Sequence, residues 1–164
     1  MPHVFRLHRE SLKRKFAVYV VVAKSAADTY LYVGKTGDNR EGCNPLISRC
    51  GNHFSYNEIH SQVRNKIPDH ESRDYTYVFE HFDDYHADEA ARRVSIDRIN
   101  EMERWLNQEV QTLVAKKNDL KLLNEYRGQS HVARLERAKR AGFRTAAAKA
   151  KIDSLIAAVE AEVG

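Results

Sequence analysis

At 164 residues, 42% of them hydrophobic and 30% charged, the chain has the size of one globular domain with a small appendage, which excludes a multidomain machine. Its longest apolar run, residues 16–23, is far short of the roughly 20 residues a membrane-spanning helix needs, and the N-terminus has no signal-peptide core, so a cytoplasmic protein is expected. Twenty-seven Lys and Arg against 23 Asp and Glu give a net charge of +4, a lean toward polyanions, while two cysteines, Cys43 and Cys50, are too few for a disulfide scaffold.

Residues 1–15 carry five basic side chains, Arg6, Arg9, Lys13, Arg14 and Lys15, against one acid, Glu10, and read as a basic arm. The β-branched and aromatic run at 16–23 predicts a buried strand. A turn at 26–29 leads to β character at 30–33, ending at Gly34, so the two segments make a hairpin. Gly37, Asp38, Asn39, Gly42, Asn44 and Pro45 mark a loop. Residues 46–50 then read as a short helix, with Pro45 in a first turn where its missing N–H costs nothing. The polar stretch 55–74 holds at most a short helix over 58–66. Residues 75–82 alternate after an aromatic start and predict a third strand, paired with the hairpin.

A long helix is expected from His86 or Ala87, capped by Asp83 and Asp84, with Asp88 and Glu89 in its first turn. Ile96, Ile99, Leu106, Val110 and Leu113 recur in steps that form one face, and Glu103 falls on that stripe where an apolar side chain is expected. Residues 120–126 contain Leu123-Asn124, and Gly128 ends the pattern. Residues 129–164 read as a basic helical extension of two helices meeting near Gly142, with seven basic residues against Glu136 between 134 and 151. The expected organisation is an arm at 1–15, a domain at 16–128 and the extension at 129–164.

Cys43, Cys50, His53 and His60 offer zinc-ligating atoms, but their C-x6-C-x2-H-x6-H spacing matches no compact ligand-pair pattern. Asp83, Asp84, Asp88 and Glu89 are accounted for by helix capping rather than by a cation.

Ala17-Val18-Tyr19, followed one hairpin later by Tyr32-Val33-Gly34-Lys35, resembles the paired motifs of the GIY-YIG nuclease superfamily, with Ala17 in place of the leading glycine. The likeness extends to Arg49 on the following helix, His53 four residues on, Glu103 on the long helix and Asn124 after Leu123, and covers about residues 15–126. It implies an α/β fold with a small, three-stranded, mainly antiparallel sheet flanked by helices. It also implies a divalent-metal-dependent endonuclease hydrolysing DNA phosphodiesters, restriction-like or structure-specific. In that reading Tyr19 is the general base, its phenol needing a pKa well below the ordinary value of about 10, with Lys35 as a source of the positive charge. Arg49 binds the scissile phosphate, Tyr32 and His53 bond water or phosphate, and Asn124 holds the site together. His53 is the fallback base, on an ordinary pKa of about 6.5. Glu103 is the ligand for Mg²⁺ or Mn²⁺, with Glu101 and Glu109 as alternatives should the helical phase differ.

The expected DNA contacts are Arg14, Lys15, Lys35, Arg49, Arg134, Arg137, Lys139 and Arg140, which give salt-dependent affinity for phosphates. Cleaving both strands of a duplex implies a homodimer or higher homo-oligomer. The competing readings are a noncatalytic nucleic-acid-binding protein on the same scaffold and a protein-docking module using the charged C-terminal helix.

Overall fold

The computed structural model describes residues 1–37, 42–127 and 134–164; Asp38, Asn39 and Gly128 lie outside them. The fold is α/β. Strand β1 (Lys15–Lys24) is flanked by β2 (Thr29–Lys35) and β3 (Asp74–Asp84), and β4 (Leu120–Leu122) completes a sheet of order β3-β1-β2-β4. β1 is antiparallel to both neighbours, whereas β4 runs parallel to β2. The expected three-stranded sheet is therefore corrected to four strands in a mixed sheet. A three-residue strand is too short to show periodicity. Its parallel pairing needs a long crossover, which the connection through helix α2 (Glu89–Val114) supplies.

Because side chains alternate across a strand, β1 divides its residues between two layers. Phe16, Val18, Val20 and Val22 face a rear layer with Leu31 and Val33 of β2 and the apolar side of α2. Tyr19, Val21 and Ala23 face a front layer with Tyr32 and Tyr77, covered by helix α1 (Leu46–Phe54) and by the buried Val63 and Ile67 of the following loop. Covered on both sides, β1 reads as an unbroken apolar run.

Several boundaries move. Asp83 and Asp84 do not cap the long helix. They extend β3 opposite Phe16 and Lys15, where Arg98 and Lys15 pair with them, and Asp88 is the cap, accepting from the Ala91 N–H at 2.8 Å. Lys15 thus belongs to the sheet rather than to a free arm. α1 continues past residue 50 to Phe54, and the helix expected over 58–66 shrinks to a 3-10 turn at Arg64–Lys66. Ala17 is accommodated at a bulge, where the Thr36 hydroxyl accepts its N–H at 2.8 Å.

The C-terminal extension forms α3 (Arg134–Ala141) and α4 (Ala146–Val163), joined through Gly142 as expected. α4 places Ile152, Leu155 and Val159 in the rear core. Its entry is tied to α2 by the Arg144 guanidinium, which donates to Glu101 at 2.8 Å and lies over the Trp105 ring. No helix among the described residues is long and apolar enough to cross a membrane.

Candidate active site

The front layer opens into a cleft of about 480 Å³ at the ends of β1 and β2. Tyr19 pairs across the ladder with Gly34, and its ring lies directly over that glycine. A Cβ built at Gly34 would stand 2.4 Å from the Tyr19 phenol, so only glycine leaves the ring room. Tyr32 projects from the same face of β2, and Lys35 ends the strand. Arg49 and His53, four residues apart on α1, share the helix face toward the cleft. Glu103 reaches it from α2, behind the sheet, and meets Lys35 with 2.5 Å between Nζ and Oε2. The Arg49 Nε donates to the Lys35 carbonyl at 3.3 Å, which ties α1 to the end of β2.

His53 is 5% exposed and stands between phenols, its Nε2 3.1 Å from the Tyr19 hydroxyl and its Nδ1 2.8 Å from that of Tyr77. Burial, and then the Arg49 charge, push its pKa down to about 4, so the ring is neutral at physiological pH. It is therefore a weaker base than its ordinary value suggests, and the fallback role loses its ground. Burial pushes the Tyr77 phenol up, far above the ordinary phenol range.

Of the predicted site residues, Tyr19, Tyr32, Lys35, Arg49, His53 and Glu103 line the cleft together. Asn124 does not line it. Its side-chain amide behaves like an added strand residue, accepting the Val33 N–H at 3.0 Å and donating to the Val33 carbonyl at 2.6 Å, one residue before Gly34. Buried Asn107 of α2 donates in turn to the Asn124 carbonyl at 2.9 Å. Asn124 therefore fixes the strand that carries Gly34 and Lys35.

The acid alternatives separate clearly. The fully buried acid of α2 is Glu101, 3% exposed and neutralised by Arg144 and Arg104 away from the cleft. Glu103 sits at the edge of the stripe with its side chain 27% exposed, and Glu109 does not line the cleft. Among the described residues no group of three or more His, Cys, Asp or Glu is arranged to hold a metal, and buried Cys43 instead donates to the Lys15 carbonyl. Glu103 is the one carboxylate among the described residues lining the cleft. One carboxylate beside cations that attract phosphate fits Mg²⁺, which commonly takes one or two protein carboxylates with phosphate oxygens and water. The donor set does not suit a closed all-protein cage.

Lys35 and Arg49 are the expected DNA contacts that line the cleft. Arg14 donates to the Cys43 carbonyl and stacks on Tyr85, and Lys15 pairs with Asp84. Arg134 is the first residue of α3. Arg137 and Lys139 are exposed on that helix, Lys139 reaching Asp97, and Arg140 pairs with Glu136.

Asn52, Ser55, Asn57 and Gln62 of the cleft wall escaped sequence reasoning, and His60 beside them was considered there only as a zinc ligand. The wall is built around the fully buried Ser61, whose hydroxyl bonds the Asn52 and Ser55 carbonyls, and around Arg64, which donates to Ser55 at 2.8 Å. The signal available was Val63 and Ile67, two apolar residues four apart in a polar run. Comparison of the chain with protein-family models, with curated proteins and with solved structures finds no match.

Proposed function

We propose that this chain is a divalent-metal-dependent endonuclease that hydrolyses DNA phosphodiesters, with a site of the kind the GIY-YIG nucleases use. The observation that supports it is the meeting of two phenols, a guanidinium, an ammonium, an imidazole and a carboxylate from β1, β2, α1 and α2 in one cleft. Phosphodiester hydrolysis needs a proton acceptor for water, positive charge on the phosphoryl oxygens and stabilisation of the leaving oxygen.

In this reading Tyr19 acts as its phenolate: water attacks phosphorus and gives its proton to the Tyr19 oxygen while the bond to the leaving oxygen breaks, and that oxygen departs as an alkoxide that takes a proton from solvent. Tyr32 orients the water. The Arg49 fork binds the non-bridging oxygens. Glu103 would hold the Mg²⁺ or Mn²⁺ ion, whose chemistry there is neutralisation of charge at the leaving oxygen. Lys35 pairs with that carboxylate and adds positive charge to the cleft. Exposed Arg137 and Lys139 extend the affinity for DNA without reading sequence. A restriction-like or structure-specific enzyme cutting both strands would act as a homodimer or higher oligomer.

The Lys35–Glu103 pair satisfies the carboxylate without a cation, and this favours, as the second reading, a noncatalytic nucleic-acid binder. Incubation of supercoiled plasmid with the full chain and Mg²⁺ separates the two. The nuclease reading expects nicked and linear products, reduced at least about 100-fold in Tyr19→Phe, Arg49→Ala and Glu103→Ala. Wild-type protein that binds the plasmid yet leaves it supercoiled with both Mg²⁺ and Mn²⁺ is the noncatalytic binder.

A further inference from the structure

The side chains lining the cleft fall into two chemical groups. Lys35, Arg49 and Glu103 carry charge beside the phenols, whereas the stretch from Asn52 to Gln62 contributes amides, a hydroxyl and an imidazole, with no Lys, Arg, Asp or Glu among its lining residues. Cations suit phosphate, which positions DNA but carries no sequence. An uncharged amide adds little to phosphate binding, so the second group calls for a different contact.

Arg49, Asn52 and His53 are three and four residues apart on α1, so Asn52 projects from the helix face that carries the proposed phosphate ligand. Its carbonyl accepts from the Ser55 hydroxyl at 3.2 Å and the Ser61 hydroxyl at 3.1 Å, which fixes the last turn of the helix. Its exposed side-chain amide makes no hydrogen bond to any described residue. The other two amides are partly spent on their own loop. The Asn57 Oδ1 accepts the N–H groups of Ile59 and His60, each at 2.9 Å, and the Gln62 Nε2 donates to the Ile59 carbonyl at 2.9 Å. Asn52 is thus the amide of the cleft lining that keeps both donor and acceptor for a ligand.

A primary amide presents a donor and an acceptor side by side, the complement of the N7 acceptor and N6 amino donor on the major-groove edge of adenine. Guanine offers two acceptors there, cytosine one donor and thymine one acceptor, so none of them satisfies both amide groups. We propose that Asn52 is a specificity-determining residue that reads an adenine beside the phosphate bound by Arg49, its Oδ1 accepting from the amino group and its Nδ2 donating to N7. The placement beside the cut rests on the nuclease reading; the preference for adenine needs only that the cleft binds DNA.

A DNA duplex pool with a randomised segment tests this in two arms, by sequencing the DNA that the full chain retains in EDTA and the ends that it cuts in Mg²⁺. Wild type is expected to enrich adenine at one position about 5- to 100-fold, at a fixed distance from the cut. Enrichment is a ratio within one pool, so a change in overall affinity or rate does not enter it. Asn52→Ala should abolish it. Asn52→Asp, of the same size but offering acceptors only, should move it to cytosine, whose amino group donates. No adenine preference in wild type, or the same preference in either variant, overturns the inference, and cut ends without that preference leave the nuclease reading standing. Adenine enriched at no fixed distance from the cut overturns its placement beside Arg49. Adenine enriched in retained DNA and lost in Asn52→Ala, in a wild-type chain that never cuts, upholds the base reading and overturns the nuclease reading.

Discussion

The two faces of β1 carry opposite chemistry on one strand. Behind it, Val18, Val20 and Val22 pack against α2 and α4 in a layer of apolar side chains. In front, Tyr19 shares its layer with Tyr32, Tyr77 and His53, joined by hydrogen bonds and ring contacts, and the layer opens to solvent at the cleft. Rear burial anchors the strand, and an anchored strand lets the front side chains keep a fixed geometry. Substitutions behind the strand should therefore change stability, and those in front should change activity.

The largest effect expected is in front. Arg49→Ala and Glu103→Ala each lower single-turnover cleavage by about 10³-fold, while thermal midpoints stay near wild type. The opposite pattern belongs to Leu106→Ala, which opens a cavity in the fully buried rear layer and lowers stability by about 2–5 kcal/mol in urea denaturation. The protein that remains folded should cleave at the wild-type rate. Loss of cleavage in that variant would erase the distinction between the faces.

The neutral His53 sharpens the comparison through pH. Its folded value of about 4 lies below the ordinary 6.5, so the unfolded chain binds the extra proton between those values. Stability from this group is whole above about pH 6.5 and drains away as pH falls toward 4, by up to about 3 kcal/mol. Urea midpoints measured from pH 7 to 4.5 should decline in wild type and decline less in His53→Phe. Equal slopes would mean that the front layer accepts a charged imidazole.

Gly34→Ala joins the two faces, because its methyl would press on the Tyr19 phenol from a strand whose other side is core. A stability loss of about 1–3 kcal/mol is expected, with a larger proportional loss of cleavage than the unfolded fraction explains. The smallest effect lies outside both layers. Arg137→Ala should leave cleavage chemistry intact and reduce the slope of log affinity for DNA against log salt by about 1.

The strand itself was readable in advance, since the apolar run at 16–23 predicts a buried strand, and the hairpin, third strand and long helix follow from similar patterns, but which of its residues face front and which rear is set by the packed sheet. Short or long-range features were not. β4 is three residues long, and its partner strand lies some ninety positions earlier in the chain. Asp83 and Asp84 have the chemistry of a helix cap, and the β1–β3 register decides that they end a strand. The stripe argument led to Glu103, although the acid buried by its helix is Glu101, whose partner Arg144 comes from another helix pair. Asn124 was visible as a residue type, but its imitation of a strand residue beside Val33 exists only once the sheet forms. Tyr77 was legible only as part of the third strand, because nothing local marks the His53 nitrogen it meets.

The most direct measurement is a crystal structure of Glu103→Gln with uncleaved duplex DNA and Mg²⁺. A backbone phosphate inside the front cleft, bonded by the Arg49 guanidinium and with its phosphorus turned toward the Tyr19 oxygen, is the predicted result. DNA seated on another surface, with no phosphate between Arg49 and Tyr19, would contradict the account.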